Sequence, residues 1–250
     1  EKIPSFINCL MNTRGESEEL NEILKVVQTN PKSMIPYRFV DEYKSMSVAV
    51  DKDKSSGLPY AAIDRHKIYF PKKYSFDQVS DCVRQASWEQ DKVSPHRYLP
   101  KPNQSLSGKW AVLIGASDCI YALKIIPHFE HVYLFEPDPI WVEPMKKTLS
   151  QYKDKVSIIR KFVGDKNGKH HITLDHFFAC QYMNLDYIQA DIEGDEFRLL
   201  KGADKLLTSS LNLSLSLCCY HNSHDELLLR DYLKNKGFQV ETAKGYMLLF

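Results

Sequence analysis

The stretch that decides the fold is Tyr187 to Ala203, Tyr-Ile-Gln-Ala-Asp-Ile-Glu-Gly-Asp-Glu-Phe-Arg-Leu-Leu-Lys-Gly-Ala. A short apolar run stops at Asp191 and Glu193, Gly194 follows, and an amphipathic helix pattern begins. In an open α/β sheet the carboxyl ends of the strands face the ligand crevice. The two acids therefore stand where substrates and cofactors bind.

The same alternation extends on both sides of this stretch. Upstream, Trp110-Ala-Val-Leu-Ile114 predicts a strand, Cys119 to Phe129 a helix, His131-Val-Tyr-Leu-Phe135 a strand, Ile140 to Tyr152 a helix and Val156 to Val163 a strand. A turn at Gly164-Asp-Lys-Asn-Gly168 leads to a short helix near Leu174 to Cys180. Downstream, a helix running to about Thr208 precedes the strand Leu211 to Cys219 and a helix from Ser223 to Lys236. Repeated strand and helix segments imply a mostly parallel sheet, and right-handed crossovers fold this order into a three-layer sandwich. Phe238-Gln-Val-Glu-Thr242 and Tyr246-Met-Leu-Leu-Phe250, around Gly245, predict an antiparallel hairpin closing the sheet edge.

The N-terminal part has a different texture. Eight of the twelve prolines precede Gln104 and none follows Pro144, which puts a boundary in Lys101-Pro-Asn-Gln-Ser-Leu-Ser-Gly108. Residues 1–104 read as a small α+β module that covers the crevice, and 105–250 as the sheet domain. Within the module Leu20, Ile23, Leu24 and Val27 keep a helical period, Leu58 to Phe70 reads as two extended runs around Asp64-Arg65-His66, and Ser75 is placed to cap a helix to Gln90.

Composition narrows the function. The chain has 250 residues, 43% of them hydrophobic and 26% charged, with a formal net charge of +1. This balance gives no electrostatic footprint for nucleic acid or an anionic membrane. No apolar stretch approaches the roughly 20 residues needed to cross a bilayer, and the N-terminus lacks a signal-peptide layout, so a cytoplasmic protein with a small-molecule substrate is expected. Cys9, Cys82, Cys119, Cys180, Cys218 and Cys219 show neither metal-type spacing nor a disulfide framework, and read as buried free thiols.

Four strand ends carry polar groups on one rim: Gly115-Ala116-Ser117-Asp118, Glu136-Pro137-Asp138, Gly164-Asp165 and Asp191-Ile-Glu193. A glycine after the first strand lets the backbone approach a ligand, and an acid after the second can accept both hydrogen bonds of a ribose diol. Together these residues outline a nucleotide-like pocket.

At this point the chain resembles the S-adenosylmethionine-dependent methyltransferases of the FkbM type. The likeness rests on Val132-Tyr-Leu-Phe-Glu-Pro-Asp138, on Thr173-Leu-Asp175 with Phe177-Phe178, and on Asp191-Ile-Glu-Gly-Asp-Glu196 running into Leu200-Lys-Gly-Ala203. It spans roughly Trp110 to Phe250 and implies a Rossmann-like class I methyltransferase sandwich. It also implies that Gly115 to Asp118 lie under the methionine part of the cofactor, that Glu136 holds the ribose with Pro137 beside it, that Asp165 lies near the adenine, and that Asp191 faces the methyl group. One departure matters. The family usually shows Asp-x-Gly-Ala-x-x-Gly at the first strand, and here Leu113 stands for the Asp and Cys119 for the last Gly. Both changes imply weaker cofactor binding.

Methyl transfer from a sulfonium to a hydroxyl needs two aligned atoms, exclusion of water and removal of the hydroxyl proton. Asp191, Glu193 and His221 are the catalytic candidates for the base. They also form an oxygen and nitrogen set for a divalent ion, which the sequence does not require. His96 and Arg97 are candidate acceptor contacts, and His170-His171 reads as an exposed turn or edge. The reading is an O-methyltransferase acting on a small hydroxylated acceptor such as a sugar or glycan intermediate. Its rivals are a non-catalytic scaffold with a degenerate first loop and a nicotinamide-dependent oxidoreductase. The latter needs a G-x-G-x-x-G turn, of which Gly115-Ala-Ser-Asp-Cys-Ile120 has only the first glycine.

Overall fold

The computed structural model describes residues 18–30, 34–98, 106–180, 184–210 and 212–247. Its N-terminal part holds helices α1 (Glu18–Thr29) and α2 (Phe39–Lys44), an antiparallel sheet of β1 (Val50–Lys52), β2 (Pro59–Ile63) and β3 (His66–Tyr69), and helix α3 (Phe76–Glu89). Asp64 and Arg65, both at positive φ, turn β2 into β3 as the sequence predicts. Ser75 caps α3 by accepting the Gln78 N–H, and the Gln78 side chain accepts the Ser75 N–H in return.

The sheet domain runs through β4 (Gly108–Ile114), α4 (Ile120–Ile125), β5 (Phe129–Phe135), α5 (Val142–Thr148), β6 (Val156–Ile159), β7 (Phe162–Val163), β8 (His171–Ile172), α6 (Leu174–Phe177), β9 (Tyr187–Ala190), α7 (Glu196–Gly202), α8 (Asp204–Ser209), β10 (Ser214–Leu217) and α9 (Asp225–Asn235). Five strands form one wholly parallel sheet in the order β10-β9-β4-β5-β6. Alternate side chains of β4 enter opposite cores: Ala111 and Leu113 join the cluster under α3, α4 and α5, while Val112 and Ile114 join the one under α6 to α9. Both faces are covered, which is why the strands read as continuous apolar runs. The result is the three-layer α/β sandwich expected.

Several boundaries move for local reasons. Pro127 cannot continue an α-helix, so α4 ends at Ile125 in a 3-10 turn, and Phe129 opens β5 instead of closing a helix. The predicted strand Val156 to Val163 breaks at Arg160-Lys161. Its second half, β7, leaves the main sheet and pairs with β8. Among the described residues 238–247 there is no strand where the C-terminal antiparallel hairpin is expected, and 248–250 lie outside the described residues. The thiols are free, yet only Cys119 and Cys218 are buried; Cys82 and Cys219 are half-buried and Cys180 exposed, with Cys9 outside the described residues.

The boundary expected near residue 104 falls on 99–105, outside the described residues. Residues from both sides of it share one of the apolar clusters. Ala61, Ile68, Phe70, Val79 and Val83 from the N-terminal part pack in the same apolar cluster as Leu113, Ile120, Leu123, Met145 and Leu149. Among the described residues no helix is long and apolar enough to cross a membrane.

Candidate functional site

The chain steps from β4 to β5 and β6 on one side, then crosses to β9 and β10 on the other, so the exits of β4 and β9 meet at the switch point of the sheet. Gly115 marks that junction. It has φ +80°, and a Cβ there would lie 2.1 Å from the Asp191 carbonyl oxygen, a distance no side chain tolerates. The first-strand loop and the Asp191 turn are thus held against each other. A cavity of about 110 Å³ opens beside them, lined by Leu113, Gly115 to Asp118, Gln189 and Asp191 from the sheet domain and by Glu89, Gln90 and Tyr98 from the N-terminal part.

The acids around the first loop are poorly solvated. Glu136 is buried and accepts the N–H of Ser117 at 3.2 Å and of Asp138 at 2.9 Å. Burial still pushes its carboxyl above the usual range. Half-buried Asp118 accepts the Ile120 N–H at 2.8 Å, and desolvation, with a smaller contribution from Glu89, pushes its carboxyl up to about 7. The Glu89 carboxyl is raised by burial as well. None of the three is paired with a Lys or Arg in an ion pair among the described residues. Leu113 adds no charge here. Cys119 sits at φ +64° with its thiol 3.8 Å from the Ser117 carbonyl and packs into the core, so its side chain does not line the cavity.

Asp191 is the hub of the second half of the site. The Tyr98 hydroxyl donates to its Oδ2 at 2.7 Å, and His96 Nε2 lies 3.5 Å from the same atom. Burial would raise this carboxyl, but the contacts with His96 and Tyr98 outweigh it and hold the group below the usual range. The phenol oxygen also lies 2.7 Å from Cys218 Sγ and 3.2 Å from His96 Nε2. On its other side, Asp191 Oδ1 is 3.4 Å from His221 Nε2, which is 3.5 Å from Glu193 Oε2; His221 Nδ1 is 3.4 Å from Glu196 Oε1. Burial lowers the imidazole's proton affinity, yet Glu196 first and then Asp191 and Glu193 outweigh it, leaving His221 raised.

The structure therefore brings together Gly115, Ala116, Ser117, Asp118, Glu136, Asp191, Glu193 and His221. It adds His96 to the Asp191 cluster, buried at 5% exposure, whereas Arg97 donates to the Gln90 carbonyl. Pro137 does not line the cavity, and neither do Glu136, Glu193 and His221, which meet its wall through Ser117 and Asp191. Asp165 stands apart: it is exposed, and Lys201 at 3.2 Å holds its carboxyl below the usual range. Thr173-Leu-Asp175 is structural. Thr173 caps α6 through the His176 N–H, and Asp175 accepts the N–H groups of Lys205 and Leu206 at the start of α8. The residues that sequence reasoning missed are Glu196 and Cys218, while Tyr98, which the sequence offers as an aromatic that could stack on a sugar or ring, instead hydrogen-bonds Asp191. Only Glu196 left a signal, as an acid five positions after Asp191.

No family model and no curated protein matches the chain. Among solved structures it is similar to the methyltransferase FkbM from Methylobacillus flagellatus KT, at 24% identity and a TM-score of 0.47 over 55% of this chain and 40% of that one. It is also similar to the METTL16 MTase domain (12% identity, TM-score 0.44, 91% and 89% covered). A third is the precorrin-6y C5,15-methyltransferase from Geobacter metallireducens GS-15 (14%, TM-score 0.38, 72% and 82%). The match spans two fifths of the Methylobacillus protein. Likeness at this level is one of strand and helix arrangement and carries no activity across.

Proposed function

We propose that the chain binds S-adenosylmethionine in the crevice between the exits of β4 and β9 and methylates a hydroxyl of a small acceptor, a sugar or glycan intermediate being the class the FkbM-type resemblance implies. The observation that carries this reading is the set of desolvated carboxyls at Asp118, Glu136 and Glu89 around a glycine-opened loop, none of them ion-paired to a Lys or Arg among the described residues. Such a set favours a ligand that arrives with positive charge. The donor chemistry fits: Asp118 and Glu89 suit the cationic amino-acid and sulfonium end, and Glu136 is the acid for a ribose diol.

When bound, S-adenosylmethionine supplies a methyl group that passes to the acceptor oxygen as its C–S bond breaks, leaving a neutral thioether. The chain's own residues do the rest. The acceptor's hydroxyl proton passes to one of the candidate bases Asp191, Glu193 and His221, and Tyr98, hydrogen-bonded to Asp191, lines the N-terminal side of the crevice. Calorimetric titration with S-adenosylmethionine should give saturable binding that Glu136→Ala weakens by roughly tenfold, the equivalent of about 1.4 kcal/mol.

A second reading draws on the cavity itself. Sites for drug-sized ligands hold roughly 300–1,000 Å³, and the cavity here, with Gln90 and Tyr98 in its wall, holds about 110 Å³. A non-catalytic scaffold fits that small volume. Absence of heat at millimolar S-adenosylmethionine, from protein with a cooperative unfolding transition, would decide for the scaffold.

A further inference from the structure

We propose that Asp191, Glu196 and His221 form a binding site for one divalent metal cation. Two groups of potential ligands share Asp191. In the group with His96 and Cys218, the centre is filled by the Tyr98 hydroxyl, which lies 2.7 Å from Asp191 Oδ2, 3.2 Å from His96 Nε2 and 2.7 Å from Cys218 Sγ. In the group with Glu196 and His221, one donor atom from each residue lies within 4.8 Å of the others. Three buried polar atoms there lack a hydrogen-bond partner: Asp191 Oδ1, Glu196 Oε2 and His221 Nδ1. The Glu196 side chain is 1% exposed and that of His221 9%.

The distances separate an ion site from an ordinary ion pair. An imidazolium donating to a carboxylate settles at about 2.7–2.9 Å. His221 instead stands 3.4 Å from Asp191 Oδ1 through Nε2 and 3.4 Å from Glu196 Oε1 through Nδ1, both longer than a charged hydrogen bond; an ion takes one of the two nitrogens and leaves the other facing its carboxylate. Donors that each sit about 2.1 Å from a shared ion lie about 3.0–3.4 Å apart when they are neighbours in octahedral or tetrahedral geometry, the spacing of one imidazole nitrogen and its carboxylate oxygen here, with the third donor within 4.8 Å of both. Charge points the same way. Asp191, Glu193 and Glu196 bring three carboxyls together, and among the described residues their only ion-pair partners are His96 and His221. Entry is open on one side, where Asp191 is 26% exposed and Glu193 is 91% exposed with Oε2 reaching His221. Mixed carboxylate and imidazole donors suit Mn²⁺ or Zn²⁺ better than the all-oxygen preference of Ca²⁺ or Mg²⁺.

The cation site stands on these distances and not on methyl transfer, so it is tested without S-adenosylmethionine. Protein stripped with a chelator is titrated calorimetrically with MnCl₂ and with ZnCl₂, and the expected result is one ion per chain for at least one of them. Glu196→Gln and His221→Asn should each weaken binding by roughly tenfold or more. In the unsubstituted protein, substoichiometric Mn²⁺ should broaden the His221 ring signals before those of His66 and His128, which keeps the test decisive if either variant fails to fold. No binding of either metal at millimolar concentration would overturn the proposal, as would affinity unchanged in both folded variants or broadening that begins elsewhere.

Discussion

Replacing Asp118 by Asn is expected to stabilise the protein above neutral pH while leaving it unchanged in acid. The Asp118 carboxyl is raised from its ordinary 3.8 to about 7, chiefly by burial. A group whose folded value lies above its unfolded one binds its proton more tightly in the folded state. The stability this contributes is complete below about pH 3.8 and is lost as the pH rises through 7. At about 1.36 kcal/mol per pH unit the gap corresponds to roughly 4 kcal/mol, and solvent reaching this half-buried side chain reduces it to about 2 kcal/mol. Asn fills the same volume, keeps an oxygen for the Ile120 N–H that Asp118 accepts at 2.8 Å, and carries no charge to desolvate. The assay is urea unfolding at about pH 4 and at about pH 8, with stability from linear extrapolation. The two proteins should agree at the lower pH, and the Asn variant should be about 2 kcal/mol more stable at the higher. An equal difference at both pH values, or a less stable variant at the higher, would refute the desolvation argument. The same substitution should weaken S-adenosylmethionine binding, because the destabilising charge is the one a cationic ligand would meet.

Two further outcomes test the sheet at the entry of β4 and at the exit of β9. Asp186 Oδ2 accepts the N–H groups of Lys109 at 2.7 Å and Trp110 at 2.9 Å where β4 begins, so Asp186→Ala should cost about 2 kcal/mol in urea unfolding through two stranded donors. Glu193 lies at φ +57° between Ile192 and Gly194, so Glu193→Gly should raise stability by about 1 kcal/mol through relief of the left-handed backbone; a fall would show that the side chain's contacts outweigh the strain.

Much of this arrangement is written locally in the chain. Strands β4, β5 and β9 are legible because both of their faces are buried, and Asp191, Glu136 and Gly115 are legible because each follows such a run. What is not legible depends on partners far along the sequence. Tyr98 and His96 reach Asp191 across more than ninety positions, and nothing in Ser94-Pro-His-Arg-Tyr98 specifies that approach. Asp165 follows an apolar run and so looks like a rim residue. The break at Arg160-Lys161 takes β7 out of the main sheet and Asp165 with it. Phe238-Gln-Val-Glu-Thr242 alternates like a strand, but alternation is only half of a strand; the other half is a neighbour with free backbone groups in register. Glu196 reads as an acid at a helix start, a common position for one, until His221 is seen against it.

The apolar cluster shared across the two parts of the chain also sets an order of assembly. Ile68, Phe70, Val79 and Val83 are translated before Ile120, Leu123, Met145 and Leu149, with which they share one interior. Until that later segment leaves the ribosome, the early one has an oily face and nothing to close it. Chains in that interval are prone to stick to one another or to recruit a chaperone. A shortened chain starting at residue 105 would meet the mirror-image difficulty, because its own helices would lack the lid that α3 and β2–β3 provide.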